Sequence, residues 1–206
     1  MTERLVLHEY AASGNCYKVR LAAAIAGKHL DRREYDIMKG ETRTPEFLGN
    51  VNSNGRIPVL QVGERFIPES NAAAYYVAEE SSLVPTDRFD HADMLRWMFW
   101  EQYNHEPNIA TLRFWMRSIG AENLSDLQRA QMPGKRQAGN AALKLMHEHL
   151  RGRDWFVGSA ISLADICLFA YTHVAGDADF DLNLYPNVIE WLKRVKGQPR
   201  YVPLDV

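Results

Sequence analysis

The chain has 206 residues, with 24 Lys and Arg against 26 Asp and Glu and a formal charge of −2. That balance, with no run of one sign, argues against a nucleic-acid partner, which calls for a basic patch. Hydrophobic residues make up 46%, enough for the core of one large or two small domains, yet no stretch approaches the ~18 consecutive apolar residues of a membrane helix.

The first ten residues, Met1-Thr-Glu-Arg-Leu-Val-Leu-His-Glu-Tyr10, alternate like a strand and lack the basic head and apolar centre of a secretory signal. Leu5 to Tyr10 is read as the first strand, and Cys16 to Gly27 as a helix with Val19, Leu21, Ala22 and Ile25 toward a core. Arg33 to Ile37 is a second strand candidate, and Pro45 to Leu48 a short turn or helix. Pro58 to Val62, Gly63-Glu64, then Arg65 to Ile67 reads as a β-hairpin, with Gly63 able to supply positive φ. Ser70 to Glu80 is helical. Near position 85 the pattern changes, and residues 80–87 read as a linker. Strand signals then end. Phe89 to about Arg117 carries apolar residues at helical spacing, interrupted at Glu106-Pro107 because proline removes a backbone donor. A second long helix runs from Leu124 to Leu150, where Pro133-Gly134 either kinks it or marks where its main part begins. Helices over Ser162–Ala175 and Asn187–Lys196 follow. The expectation is an α/β domain over 1–80 and an all-α domain over 88–206.

Cys16 and Cys167 lack metal-ligand or redox spacing, so a cytoplasmic, disulfide-free protein is expected. His147 and His149, two apart on a helix, face different ways, and no metal is expected there. Pro58 opens a strand and taken alone reads as an ordinary trans proline. Glu69-Ser70 stands where the hairpin meets a helix: Ser70 reads as an N-cap, at a helix end whose free N–H groups attract anions. Ser162 and Asp165 have capping-box spacing, with Ile161 and Ile166 as the staple.

Taken together, Ser13-Gly-Asn15-Cys16-Tyr-Lys-Val-Arg20, Gly55-Arg-Ile-Pro58-Val-Leu60, Glu69-Ser70 and Ser162-Leu-Ala-Asp165-Ile166 resemble, in order and spacing, the glutathione transferase superfamily over essentially the whole chain. Asn52-Ser53 departs from the commoner Asn-Pro, and Ala73-Ala74 from bulkier residues, which leaves the subclass open among theta-, zeta-, nu- and beta-like enzymes. The resemblance implies a thioredoxin-like first domain that binds glutathione and a helical second domain that holds a small electrophile, usually in a homodimer. No nucleic-acid, membrane or metal partner is implied.

For mechanism, the resemblance implies a donor to the glutathione sulfur, whose thiol has a pKa near ~8.5 when free. A hydrogen bond to the thiolate and a helix N-terminus behind it lower that pKa. Ser13 is the first candidate. Asn15 is a second donor, and Cys16 is the alternative, either able to form a mixed disulfide as in beta-class relatives or a helix residue facing the core; Tyr10 falls within the strand. By the same resemblance, the Ile57 main chain, beside a cis bond to Pro58, pairs with the ligand's cysteinyl backbone, and Glu69 and Ser70 hold its γ-glutamyl end. Arg56, and after it Lys39, suits the glycyl carboxylate, although either reads equally as a solvated surface charge. Tyr103, Glu106 and Arg113 are the candidates for lining the electrophile pocket. Besides conjugation, the pattern admits a glutathione-dependent isomerase or dehalogenase, a thiol-disulfide or peroxide reductase, and a non-catalytic interaction protein on the same fold.

Overall fold

The computed structural model describes residues 4–205. They divide into two units: one holds the chain up to Val84 together with the segment from Gln198 onward, and the other is Pro85–Gly197. The first unit begins with β1 (Leu5–Glu9), α1 (Gly14–Ala26) and β2 (Asp31–Glu34), a crossover that leaves β1 and β2 parallel. The six-residue α2 (Pro45–Asn50) leads to the hairpin of β3 (Val59–Val62) and β4 (Arg65–Pro68), and α3 (Ser70–Ala78) closes the unit. Sheet order is β2-β1-β3-β4, with β1 and β3 antiparallel. Gly63 turns the hairpin at φ 59°, a conformation that glycine adopts without steric cost. This is the thioredoxin-like architecture.

Side chains alternate across β1, and the alternation organises the unit. Glu9 reaches Arg20 of α1 on one face of the sheet. His8, on the other face, is hydrogen-bonded to Tyr35 and Gln61 at 2.8 and 3.0 Å. Tyr35, Phe47 and Val59 form a small apolar cluster between that face and α2. β2 starts and ends earlier than the sequence suggests. Asp36 explains the end: its carboxylate accepts from the N–H groups of Met38 and Lys39, folding Ile37–Lys39 into a capped 3₁₀ turn.

The second unit is all-helical, with α4 (Arg88–Trp100), α5 (Glu106–Phe114), α6 (Asp126–His149), α7 (Leu163–Thr172) and α8 (Pro186–Lys196). Between α4 and α5 lies a π-helical turn, Glu101–His105, and the Glu106 N–H bonds back to Glu101 O. Pro107 has no N–H to return to the preceding turn, and the wider turn absorbs that loss. Pro133 breaks nothing: α6 runs through it. Pro133 and Arg129, whose carbonyl loses its donor, are both exposed, so water can replace the missing bond.

Every residue of α7 is buried. At its start, Asp165 accepts four hydrogen bonds: from the N–H and hydroxyl of Ser162, from Phe156 N–H and from Trp191 Nε1. Burial pushes its carboxyl up to about 6, against those donors, which favour the charge. An Asp165→Asn variant turns amide hydrogens toward some of the same donors. Its stability should fall by about 2–3 kcal/mol, seen as a lower urea midpoint; an unchanged midpoint contradicts this account of the helix start.

Candidate functional site

Between β1 and α1 the chain makes a tight turn in which Ser13 N–H bonds Tyr10 O at 2.9 Å. Ser13 is the N-cap of α1, extended at φ −77° and ψ 123°. Its Oγ accepts from Cys16 N–H at 3.4 Å. An oxygen used as acceptor keeps its own hydrogen, so the hydroxyl retains a donor to offer a ligand at the positive end of the helix.

Cys16 sits one turn inside the same helix and is fully buried. Its Sγ accepts from Tyr10 N–H at 3.4 Å, and burial pushes the thiol up to about 12. Burial of this kind keeps the thiol protonated, away from the thiolate form that reacts.

The second helix start lies beside the first. Ser70, expected as an N-cap, is instead the first residue of α3 and is buried. Glu69 takes the cap position at φ 71°, a region costly for a residue with a Cβ, and makes no side-chain capping bond. Such conformations cost on the order of 1–3 kcal/mol and gather at ligand sites. Released from capping, the Ser70 hydroxyl donates to Asn15 Oδ1 at 3.2 Å and lies 3.5 Å from the Lys18 ammonium. Lys18 is completely buried. The positive ends of α1 and α3 and one buried cation therefore converge, which is a place for an anionic group. Nothing in the run Lys-Val-Arg-Leu-Ala marks Lys18 in the sequence, because its burial depends on α3 arriving from 50-odd residues away.

The Ile57–Pro58 bond is cis. The loop before it is held by Asn52, whose side chain donates to Arg56 O and accepts from Asn54 N–H. Gly55, at φ 62°, has Thr42 O at 2.9 Å from where a Cβ would be. Asn52 thus orders the loop with Ser53 in place of the commoner proline.

The remaining candidates are scattered. The Arg56 side chain is exposed. Lys39 is mostly exposed and paired with Asp36 at 3.1 Å, the carboxylate that caps its own turn. In the helical unit, Tyr103 is 84% exposed and Glu106 half-buried beside the π-helical turn. Arg113 is turned to Asp177, with its Nε 3.0 Å from the carboxylate and its side chain 12% exposed, so little of it is left to face a ligand. His147 accepts from Asn187 N–H, and His149 bonds Phe156 O.

Comparison with known proteins finds two families along the chain. The family described as "Glutathione S-transferase, N-terminal domain" matches residues 5–79, and "Glutathione S-transferase, C-terminal domain" matches residues 111–199. A solved structure described as a possible glutathione S-transferase, from Rhodopseudomonas palustris, is 41% identical, with a TM-score of 0.93 over 98% of each chain. A glutathione S-transferase from Pseudomonas fluorescens is 37% identical, with a TM-score of 0.90 over 97% of this chain and 98% of that one. Elongation factor 1-gamma 3 of Oryza sativa subsp. japonica is 29% identical over 96% of this chain, which spans 47% of that protein.

The burial of both thiols is open to direct test. In the native protein at pH 8, iodoacetamide should leave Cys16 and Cys167 unmodified over the time in which free cysteine reacts to completion, and should label both in denaturant. Fast native labelling of Cys16 contradicts the packing described.

Proposed function

The chain belongs to the glutathione S-transferase superfamily, and from that premise we propose that it activates the glutathione thiol as a thiolate for attack on small electrophiles. The observation that carries the reading is the convergence of the α1 and α3 N-termini, joined by the Ser70–Asn15 hydrogen bond with Lys18 behind it. The γ-glutamyl carboxylate is assigned to the N-terminus of α3, and Glu69 accepts from the ligand's ammonium group. The Ile57 main chain beside Pro58 pairs with the cysteinyl backbone, which directs the sulfur toward Ser13.

At that point Ser13 is the donor we assign to the sulfur, with Asn15 supporting the turn through Ser70. Two effects lower the thiol pKa: the hydroxyl bonds the charged form, and the α1 N-terminus adds positive potential. Lowering that pKa by one corresponds to about 1.4 kcal/mol of added preference for the thiolate. Proton loss to water then leaves a nucleophile at neutral pH; its sulfur bonds to the electrophilic carbon, and the leaving group departs with its electron pair or, in an addition, the opened π bond takes a proton from water. The assignment of Ser13 over Cys16 rests on the buried, high-pKa thiol of Cys16, which also disfavours a mixed-disulfide reductase. The same thiolate serves a glutathione-dependent isomerase or dehalogenase, in which glutathione is regenerated. Tyr103 and Glu106 are proposed to contribute to electrophile binding. A cytoplasmic homodimer is the proposed working form, supported by Phe89 and Phe99, which stay 76% and 72% exposed on α4 and offer apolar surface to a second copy.

A second reading, an interaction module on the transferase fold, is favoured by the likeness to elongation factor 1-gamma. The two separate on kinetics. With 1-chloro-2,4-dinitrobenzene as electrophile, kcat/KM should rise with pH through the bound-thiol pKa. Ser13→Ala should move that midpoint up toward ~8.5 and lower kcat/KM at pH 7 by roughly 10- to 100-fold. Ser70→Ala should act mainly on KM for glutathione, raising it about tenfold. Glutathione binding without turnover of any electrophile favours the interaction module, and wild-type kinetics in Ser13→Ala removes Ser13 from the mechanism.

A further inference from the structure

Residues from Gln198 onward belong to the first unit, although the whole helical unit precedes them in the chain. Two side chains of α1 hold them. Tyr17 OH donates to Val202 O at 2.6 Å, and Arg20 Nη2 donates to Leu204 O at 2.9 Å. The same Arg20 nitrogen donates to Ala11 O at 2.7 Å. Ala11 lies in the turn that ends at Ser13. One guanidinium nitrogen therefore bridges the returning segment and the turn that carries the proposed thiol-activating hydroxyl.

The bridge is rigid for identifiable reasons. Arg20 is only 7% exposed, and its Nε lies 3.3 Å from Glu9, which is fully buried and also paired with Arg32. Its guanidinium is 5.6 Å from the centre of the Tyr17 ring. A guanidinium presents its donors in a fixed plane, so a group held on one side by Glu9 and on another by Leu204 O fixes the place of Ala11 O. Leu204, itself buried, anchors the segment to the unit.

We propose that the 198–205 segment is a strap that positions the thiol-activating turn, with Arg20 as the positioning residue that transmits it. The proposal rests on the transferase reading for its effect on catalysis, but its structural half stands apart from that reading. A strap of this kind links the set of the turn to a segment outside the glutathione-binding elements. Loosening the strap is then felt as a change in thiol activation and glutathione affinity, with the glutathione contacts themselves intact.

Two variants of the full protein test this. Ending the chain after Val202 keeps the Tyr17 bond and removes the Leu204 carbonyl. Arg20→Lys keeps the charge beside Glu9 but cannot span both carbonyls. Tyr17→Phe serves as the control, since it removes the bond to Val202 O and leaves Arg20 bridging Leu204 O and Ala11 O. The first readout is amide hydrogen exchange of residues 10–16 without ligand, expected to speed up about fivefold in both variants and to stay near wild type in Tyr17→Phe. The second is kinetic: KM for glutathione should rise about fivefold and the pH midpoint of kcat/KM should move upward. Lower melting temperatures with wild-type exchange at 10–16 and a wild-type pH midpoint overturn the proposal, leaving the segment as cover for α1. If exchange speeds up but the unaltered protein shows no affinity for glutathione, the positioning holds and the transferase reading fails.

Discussion

The packing of α1 against α3 is the constraint on which the site depends. It brings two helix N-termini to one place and seals Lys18 beneath them, with Ser70 between that cation and Asn15. A buried ammonium costs several kcal/mol of lost hydration unless oxygen atoms surround it. The arrangement therefore persists only where it is compensated, and on the proposed function the anionic end of glutathione adds to that compensation. The backbone of Glu69 at φ 71° belongs to the same logic. Under the proposed function, that locally unfavourable geometry presents a carboxylate and the first N–H groups of α3 to the ligand.

Elsewhere, buried acids mark where distant segments meet. Glu9 gathers Arg20 and Arg32 on the α1 face of the sheet. Asp165 gathers Ser162, Phe156 and Trp191 at the start of the most deeply buried helix of the second unit. In both cases the charge is tolerated because donors surround it, and removing a donor would strand it. His8, on the other face of the sheet, spends both ring nitrogens on Tyr35 and Gln61, and burial lowers its pKa, which favours the neutral ring.

Much of the fold was legible because periodicity and punctuation agree in the sequence. The alternation of Leu5 to Tyr10, the Gly63-Glu64 turn and the helical spacing from Phe89 to about Arg117 each point to structure that the chain forms, with β1 ending one residue earlier at Glu9 and the helical stretch divided at the Glu101–His105 turn. The departures are local. Ile37 looked like strand until the Asp36 cap drew it into a turn, and Pro133-Gly134 read as a kink or the start of a helix's main part, whereas α6 begins at Asp126 and runs through it. Ser70 had the composition of a cap, but whether its hydroxyl caps a helix or joins a neighbouring one depends on where Asn15 and Lys18 lie. Lys18 and Arg20 gave no signal at all, since their burial is created by α3 and by the returning segment from Gln198 onward. The turn carrying Ser13 could be located from its resemblance to a family. The sequence left Cys16, three residues further on, open between a functional thiol and a core-facing helix residue, and the structure buries it.

On the proposed function, glutathione binds across the two helix N-termini with its sulfur at Ser13. A crystal structure of the protein with glutathione should then show the γ-glutamyl carboxylate within hydrogen-bonding distance of Ser70 and the α3 N–H groups, the cysteinyl backbone paired with Ile57, and the sulfur within reach of Ser13 Oγ. Glutathione found elsewhere on the protein, or seated in this cleft with its sulfur turned away from Ser13, contradicts it.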